Sequence, residues 1–315
     1  MTDLNQKVTL EDVTKPIIIF GEVLVDAFGD QTEVIGGAPL NVAWNLRAIE
    51  CHPRLVSAIG SDDTGKRILS AIESWRLPTE FIQVDPDRPT GRVLVRHERG
   101  EPTYEIPRDQ AFDFIRYPNS LVVSFTEATK PILYHGSLCA RSTLSLETLL
   151  RLRRQFESNI AIDVNLRSGQ YETELIQQLI DGVAVLKCNL AELCHLTGQS
   201  FASRTEAIEE AATFVARTST LREFWVTDGG NGAFVVDDTG QHYVSDAVAL
   251  PDDQVVDTVG AGDAFMAAVL YGHATETPLP ITLDLAVRMA ANVCKIEGAT
   301  TTDASRYAGL LQSLQ

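Results

Sequence analysis

Basic side chains are scarce in this sequence of 315 residues: 26 Lys and Arg stand against 43 Asp and Glu, so the formal net charge is −17. Such an excess of negative charge argues against nucleic acid or an anionic membrane as a partner, because both are polyanions. It does not argue against a nucleotide, since a few local donors bind phosphate even inside an acidic protein. The charge therefore disfavours polyanionic partners but leaves nucleotide-binding enzymes open.

Cysteines are also few, and long hydrophobic runs are absent. The five cysteines are scattered and odd in number, which is typical of reduced thiols in a cytosolic protein. Cys188, Cys194 and His195 lie close together, but their spacing fits no zinc pattern. No apolar run approaches the ~20 residues needed to cross a bilayer, and Met1 to Lys15 lacks the pattern of a signal peptide. A cytoplasmic location is expected.

Two long parts of the sequence have an α/β pattern. Pro16 to Gly21 is predicted to be a buried parallel strand, and Val23 to Asp26 is expected to extend it. From about Pro131 to Ile296, short apolar runs alternate with helical patterns. Strands that alternate with helices imply a parallel sheet covered on both faces. The pattern predicts an α/β fold with a mostly parallel central sheet.

The segment between these two parts has a different pattern. Residues 91–97 alternate polar and apolar side chains, and residues 101–106 follow across Arg99-Gly100. This is typical of a half-exposed antiparallel hairpin. Together with the stretch after Gly21, the hairpin is expected to form a small sheet separate from the main one.

The strongest chemical motif is Asp257-Thr258-Val259-Gly260-Ala261-Gly262-Asp263. Its small residues let backbone N–H groups approach an anion closely, and a helix N-terminus with bare amides binds phosphate or an oxyanion. Asp263, in the first turn, would be a base for a substrate hydroxyl, a combination that suits phosphoryl transfer. The alternative is a tight turn in which Asp263 only favours the helix dipole. The following residues, 264–270, are apolar all round and should be buried.

A second motif, Gly36-Gly37-Ala38-Pro39-Leu40-Asn41, precedes a predicted helix with Pro in its first turn. The two glycines allow backbone to approach a ligand, and Asn41 offers both a donor and an acceptor. Asp26 follows the first strand, and ligands bind at the carboxyl ends of strands in such sheets. The alternative interpretation is an ordinary turn and a surface carboxylate.

Three further segments place polar residues after predicted strands. Asp163, Asn165 and Arg167 share one side of a strand end, and the arginine is suited to phosphate. Asn189 and Glu192 follow another strand, where they would lie near a Mg²⁺–nucleotide or where Asn189 would simply cap the next helix. The loop from Thr227 to Ala233 would lie along phosphates or the ribose, or be only a hairpin.

One motif imitates a phosphate-binding loop. Gly60-Ser61-Asp62-Asp63-Thr64-Gly65-Lys66 has the spacing of a P-loop, but Arg67 stands where that motif needs Ser or Thr for Mg²⁺. The two aspartates would repel phosphate. A strand–turn–helix junction is predicted here.

Taken together, the motifs resemble those of the ribokinase-like (PfkB-type) carbohydrate kinases, in the family's order from Gly21 to about Ala299. The family's N-terminal sugar signature is similar to Gly21-Glu22 with Asp26 and to the segment from Gly36 to Asn41. The segment from Asp257 to Asp263 is similar to its C-terminal signature, which is highly specific.

The resemblance implies a ribokinase-like three-layer αβα sandwich with a mostly parallel central sheet, formed by a single domain over residues 1–315. It also implies a small β-sheet lid, here about residues 22–35 and 91–107. In the family this lid closes over the sugar and often forms the contact of a homodimer.

The resemblance further implies that Asp263 accepts the proton of the sugar hydroxyl. The anion hole would be supplied by Gly260, Ala261 and Gly262. Residues expected to bind the sugar or the transferring phosphate are Asp26, Gly37, Asn41 and Arg167.

On the nucleotide side, the resemblance implies ATP and Mg²⁺. Residues expected near the nucleotide are Asn189, Thr227, Gly229, Gly232 and Asn292. Glu192 would act near Mg²⁺ through water. Many members also bind K⁺ through carbonyl groups near the C-terminal signature, which this sequence alone neither requires nor excludes.

Within the family, the forms Gly-Gly-Ala-Pro-x-Asn, Asp-Val-Asn-Leu-Arg and Lys-x-Asn-x-x-Glu look most like fructokinases. The expected activity is transfer of the ATP γ-phosphate to a hydroxyl of a small sugar, with fructose first. A kinase for another sugar, a sugar acid or a ribonucleoside stays open, as does a non-catalytic sugar-binding regulator. A nicotinamide dehydrogenase is disfavoured, since Gly21-Glu22-Val23 rather than Gly-x-Gly-x-x-Gly follows the first strand.

Overall fold

The computed structural model of the chain describes residues 15–29, 32–98, 101–125, 130–166 and 172–310. Within these ranges the chain forms thirteen strands and nine helices, apart from short 3₁₀ turns. The strands are β1 Ile17–Phe20, β2 Leu24–Phe28, β3 Glu33–Gly36, β4 Arg54–Gly60, β5 Ile82–Asp85, β6 Gly91–Glu98, β7 Glu101–Glu105, β8 Ile132–His135, β9 Ile160–Asp163, β10 Val185–Asn189, β11 Glu223–Thr227, β12 Ala233–Asp237 and β13 His242–Ser245. The helices are α1 Ala38–Ala48, α2 Asp63–Ser74, α3 Asn119–Val122, α4 Thr143–Gln155, α5 Thr173–Ile180, α6 Leu190–Thr197, α7 Arg204–Arg217, α8 Ala261–Thr275 and α9 Leu279–Val293.

Nine strands form the central sheet in the order β13-β12-β11-β10-β9-β8-β1-β4-β5. Neighbouring strands from β11 to β5 are parallel, whereas β12 and β13 are added antiparallel at one edge. The predicted mostly parallel sheet is confirmed. Its parallel strands therefore end at a common edge, where the side chains that follow them gather.

The central strands are buried on both faces. In β1, Ile17 and Ile19 belong to the core that contains α1, α2, α8 and α9, while Ile18 and Phe20 belong to the core that contains α4 to α7. Successive side chains of a strand point to opposite faces, so helices cover both sides of the sheet. The three-layer αβα arrangement follows, as expected from the alternating pattern.

Four strands form a second, smaller sheet in the order β3-β2-β6-β7. Strands β6 and β7 are the antiparallel hairpin that the alternating pattern predicts. The prediction that Val23 to Asp26 extends the first strand is wrong, because β1 ends at Phe20 and β2 belongs to the small sheet. Gly21 permits the break: its φ is +154°, and a Cβ there would lie 2.5 Å from Pro39 Cγ.

An ion-pair cluster joins the small sheet to the main body. Glu33 of β3 pairs with Arg67 of α2, and its other oxygen lies 2.6 Å from Arg92 Nη2 of β6. The cluster fixes the outer strand of the small sheet against a helix that belongs to the central layers.

The segment that imitates a P-loop is a strand–turn–helix junction, as predicted. Strand β4 ends at Gly60, and α2 begins at Asp63 with Asp62 as its N-cap. The Asp62 carboxylate accepts hydrogen bonds from Gly65 N at 2.8 Å and Thr90 N at 2.8 Å. A carboxylate therefore takes the place that a phosphate would need.

Two short strands, β5 and β13, are not indicated by the sequence pattern. They occupy the two edges of the central sheet, where each pairs on one side only and the residues are partly exposed. No helix in the described part of the chain is long and apolar enough to span a membrane.

Candidate active site

Helix α8 begins in a tight turn that positions its first amides. Gly260 is the N-cap with φ +79°, and a Cβ at this position would overlap Ala299, so the turn requires glycine. Asp257 fixes the turn by accepting hydrogen bonds from Val259 N at 3.0 Å and Gly298 N at 3.1 Å. Within the residue ranges that the structure describes, no side chain caps α8. The first-turn N–H groups of a helix have no partner within it, so this end of α8 is suited to an anion.

Of the three residues expected to form the anion hole, Ala261 is partly engaged. Its N–H lies 3.3 Å from Thr258 O, which is a long hydrogen bond. Gly260, Ala261 and Gly262 are all partly exposed, whereas the helix that follows is buried from Asp263 to Leu270. The predicted burial of residues 264–270 is confirmed, and Asp263 stands at the boundary between the exposed turn and the core.

Asp263 is joined directly to the N-terminal motif. Asn41 Nδ2 donates a 2.8 Å hydrogen bond to Asp263 Oδ2, although the two residues are 222 positions apart. Both side chains are buried, and their helices α1 and α8 pack together. Gly37, the N-cap of α1, lets the start of this helix pack against the backbone of Glu22, since its φ is +107° and a Cβ there would lie 2.7 Å from Glu22 O. The structure thus brings the two most informative motifs into contact.

Asn41 also carries a buried oxygen without a hydrogen-bond partner among the described residues, Oδ1. Buried polar groups normally have partners, so this atom marks an acceptor that a ligand would satisfy. The backbone carbonyl of Asn41 accepts from Asn45 Nδ2 at 2.9 Å, and Tyr307 OH donates to Asn45 Oδ1 at 3.0 Å. Helix α1 is thereby tied to the C-terminal segment beneath the site.

The small sheet brings Asp26 towards the same site. Asp26 lies opposite Val34 in the β2–β3 register, so the two side chains share a face. A Val34 methyl group lies 3.5 Å from the Cβ position of Gly298, in the loop that also packs against Gly260. Asp26 therefore lies on the face of the small sheet that contacts the loop beside the α8 N-terminus.

Strand ends place the remaining polar candidates in a row. In the sheet register Lys187 pairs with Asp163, and Asn189 pairs with Thr227. The carboxyl ends of β9, β10 and β11 therefore lie side by side. Arg167 falls outside the described residues.

Asn189 and Glu192 form a capping box at the start of α6. Glu192 N donates to Asn189 Oδ1 at 2.9 Å, and Asn189 N donates to Glu192 Oε2 at 2.7 Å. Glu192 Oε1 accepts from Leu166 N at 2.7 Å. Burial raises the pKa of Glu192, with the charge of Asp163 adding to the effect and the backbone donors opposing it. The structural interpretation of Asn189 as a helix cap is confirmed; its role towards a nucleotide stays a prediction.

Lys187, to which no sequence motif assigns a role, lies at the centre of this row. Its Nζ is 2.7 Å from Asp163 Oδ2 and 3.1 Å from the Cβ position of Gly262. Burial alone would lower the pKa of Lys187, but Asp163 more than offsets it, so the pKa is raised and the ammonium stays charged. The signal in the sequence is the single charged residue inside the strand Val185–Asn189, whose other residues are uncharged.

The glycine-rich loop after β11 is an exposed hairpin. Gly229 has φ +50° and open space around its Cβ position, whereas Gly232 has φ +100° and a Cβ there would overlap Ser245 O. Asn292 lies half-buried near the end of α9, two residues before Cys294, whose carbonyl accepts Val256 N at 2.9 Å. The end of α9 is thus attached to the segment that leads into α8.

The site combines a bare helix N-terminus, a buried carboxylate beside it and a row of polar side chains at strand ends, and this combination is suited to phosphoryl transfer. Comparison with known proteins agrees with this class. The profile of the pfkB family carbohydrate kinases matches residues 10–305. The chain therefore belongs to the pfkB family of carbohydrate kinases, which are phosphotransferases.

Similar proteins differ in the sugars that they are named for. The chain is 26% identical over 316 residues to the ATP-dependent 6-phosphofructokinase of Thermoanaerobacterium thermosaccharolyticum, covering 95% of this chain and 94% of the relative. It is 28% identical over 277 residues to the 1-phosphofructokinase of Haloferax volcanii, covering 87% and 84%. The crystal structure of a fructokinase from Xylella fastidiosa with bound ATP has a TM-score of 0.77 at 20% identity, covering 95% and 99%.

Proposed function

We propose that this chain is an ATP-dependent sugar kinase in which Asp263 is the catalytic base. The observation that carries the proposal is the 2.8 Å hydrogen bond from Asn41 Nδ2 to Asp263 Oδ2 at the N-terminus of α8. It joins the carboxylate to the motif that resembles a sugar signature, next to the helix end suited to phosphate. A base and an anion site at one place are what phosphoryl transfer to a hydroxyl requires.

In the proposed step, Asp263 takes the proton of the sugar hydroxyl while the hydroxyl oxygen forms a bond to the γ-phosphorus. The bond from the γ-phosphorus to the oxygen that bridges to the β-phosphate breaks, and ADP leaves with that electron pair. The N–H groups of Gly260, Ala261 and Gly262 stabilise the charge on the phosphoryl group in transit. Asn41 holds Asp263 in place during the proton transfer.

The sugar is assigned to the space between the small sheet and α1. Asn41 Oδ1, buried and lacking a partner among the described residues, would accept a hydrogen bond from a sugar hydroxyl. Asp26 would bind further hydroxyls, and Gly37 would let the sugar approach the backbone. Arg167 is kept as a proposed contact to substrate or transferring phosphate. The chain would form a single kinase domain, and its small sheet would act as a lid that closes over the sugar. The same sheet would form the contact of a homodimer.

The nucleotide is assigned to the exposed half of the site, along Asn189, Thr227, Gly229 and Gly232. Asn292 would approach the adenine. Three large apolar side chains are exposed in the segment before α8, namely Val255, Val256 and Val259. Exposed apolar groups of this kind suit the faces of a base, because covering them removes apolar surface from water.

Mg²⁺ fits this site if the nucleotide and water supply most of its ligands. Among the residues that the structure describes, no three His, Cys, Asp or Glu side chains are grouped as a metal centre. Both oxygens of Glu192 already accept backbone N–H groups, so its contact to the ion is proposed to run through water. Mg²⁺ retains waters and takes phosphate oxygens readily. When bound, the ion would neutralise phosphate charge.

Fructose is the proposed acceptor, because the sugar-signature motifs of this chain look most like those of fructokinases. A second candidate is a phosphorylated fructose, since two of the relatives are named phosphofructokinases. The test is an ATP-consumption assay with Mg²⁺ and K⁺ over fructose, fructose 1-phosphate, fructose 6-phosphate, other sugars, sugar acids and ribonucleosides. Highest turnover on fructose supports the first candidate, and turnover on a phosphorylated fructose alone replaces it with the second. If the chain binds ATP but phosphorylates none of these acceptors, the result would favour a non-catalytic sugar-binding regulator.

A further inference from the structure

Lys187 is a buried cation at the centre of the candidate site. Its side chain is 7% exposed, and that of its partner Asp163 is 2% exposed. The ammonium lies beside the first turn of α8, with Nζ 3.1 Å from the Cβ position of Gly262. Two independent features therefore meet at one point: the uncapped end of a 15-residue helix and a buried positive charge.

The ammonium has donors to spare. A lysine carries three N–H donors, and within the described residues this one makes a single hydrogen bond, to Asp163 Oδ2 at 2.7 Å. Buried donors normally find acceptors. The remaining donors lie next to Gly262, where the anion site is proposed, and an anion there would satisfy them.

A structural role alone explains this pair poorly. Removing two charges from water costs free energy that their attraction often fails to recover, so a buried ion pair is weak evidence for stability. Gly262 supports a functional role, because any side chain at that position would crowd the ammonium at 3.1 Å. The backbone conformation of Gly262 does not itself require glycine, since this residue lies in α8 and its φ is not positive. The approach of Lys187 is therefore a reason for glycine here.

We propose that Lys187 is a further catalytic residue, which donates a hydrogen bond to the phosphoryl group in transit at the N-terminus of α8, with Asp163 as its positioning residue. The inference rests on the proposed kinase function and deepens it. Lys187 forms and breaks no covalent bond in this step. The new P–O bond, the broken bridging bond and the proton on Asp263 stay as described above, and the ammonium stabilises the charge on the equatorial oxygens.

The test uses the full-length chain with Lys187→Met and Asp163→Asn combined. Removing both charges avoids an unpaired buried charge, which would threaten folding. The turnover number kcat is expected to fall about 10²- to 10³-fold, the usual effect of losing one such donor. KM for the sugar should change little. By calorimetry, ATP affinity should fall at least tenfold while ADP affinity stays within threefold.

Gly262→Ala is the second variant, and it keeps both charges. Its methyl group displaces the ammonium, so kcat should fall about tenfold with ADP affinity unchanged. A double variant that keeps kcat within threefold of wild type would overturn the proposal, as would an equal loss of ATP and ADP affinity. If the double variant does not fold, unchanged kcat and ATP affinity in Gly262→Ala would overturn it.

Failure of the kinase function is distinguishable from failure of this inference. A wild-type chain that phosphorylates none of the acceptors contradicts the proposed function. The calorimetric affinities then test the role of Lys187. If the double variant loses ATP affinity but keeps ADP affinity, Lys187 contacts the terminal phosphate. If the double variant and wild type bind ATP equally well, that contact is contradicted.

Discussion

The two halves of the candidate site are built differently. The catalytic half, around Asp263, Asn41 and Lys187, is buried and is held by contacts between elements far apart in the sequence. The nucleotide half, around the loop from Thr227 to Gly232, is mostly exposed and is shaped by a local hairpin. Proton transfer needs fixed geometry, which burial supplies, whereas a nucleotide has to enter and leave from solvent. The difference predicts large effects in the first half and modest ones in the second.

The largest effect is expected from Asp263→Asn. The amide keeps the shape but accepts no proton at neutral pH, so kcat should fall about 10²- to 10⁴-fold. Sugar and ATP affinities, measured by calorimetry, should stay within a few-fold of wild type. Asp284→Asn on the exposed face of α9 is a matched control and should leave kcat unchanged. Near-normal turnover of Asp263→Asn would end its assignment as the base.

Asn41→Leu should have the next largest effect. It removes the donor to Asp263 Oδ2 while keeping a side chain of the same branched shape, and a hydrogen bond to a charged group contributes about 1.5–3 kcal/mol. Turnover should therefore fall about ten- to a hundredfold by the usual conversion, and KM for the sugar should rise. Steady-state kinetics on both substrates checks this. An unchanged kcat would mean that the hydrogen bond does not position the base.

Outside the candidate site, the core contains an acid-sensitive group, His135, which contacts Arg153 of α4. Its Nδ1–H donates to Gly136 O at 2.8 Å and its Nε2 accepts from Arg153 Nη1 at 2.7 Å. Burial, aided by Arg153, lowers the pKa of His135 from 6.5 to about 3. The unfolded chain therefore takes up the proton first, and stability falls as pH drops below 6.5. Between pH 7.5 and pH 5 this group should cost about 2 kcal/mol of unfolding free energy.

Denaturant unfolding at the two pH values checks that expectation, with His135→Gln as the control. The variant lacks the titrating group, so its stability should fall less than that of wild type over the same interval. Equal losses in the two proteins would contradict the account of His135.

The smallest effects are expected in the nucleotide half, where two glycines of one loop form a matched pair. Gly232→Ala would overlap Ser245 O, and it should raise KM for ATP about tenfold, corresponding to about 1.4 kcal/mol. Gly229→Ala meets open space and only the mild strain of φ +50°, so its KM should change less than threefold. Similar values for the two variants would show that loop shape does not set ATP binding.

Local patterns made most of the fold predictable. The apolar run before Gly21, the alternating residues of the hairpin and the apolar stretch 264–270 of α8 each carry their own signal, and each appears in the structure. The edge strands β5 and β13 lacked that signal because edge positions tolerate exposed and polar residues. The expected extension of the first strand failed because Gly21 redirects the chain into the small sheet.

The candidate site was predictable only in part. Its motifs identify Asp263 and Asn41 separately, but the hydrogen bond between residues 222 positions apart depends on how α1 packs against α8. Lys187 belongs to the motif Lys-x-Asn-x-x-Glu, but that motif does not reveal a contact with α8, because the approach of Lys187 to Gly262 depends on the placement of α8 relative to the end of β10. Long-range packing of this kind leaves no periodic pattern in the sequence from which it could be predicted.

The central claim is that Asn41 and Asp263 act as one unit in proton transfer, and a double-mutant cycle on kcat tests it most directly. Wild type, Asp263→Asn, Asn41→Leu and the combined variant are compared at saturating sugar and ATP. Residues that act as a unit are strongly non-additive, so the combined variant should lose about as much kcat as Asp263→Asn alone. A combined loss equal to the product of the two single losses would contradict the claim.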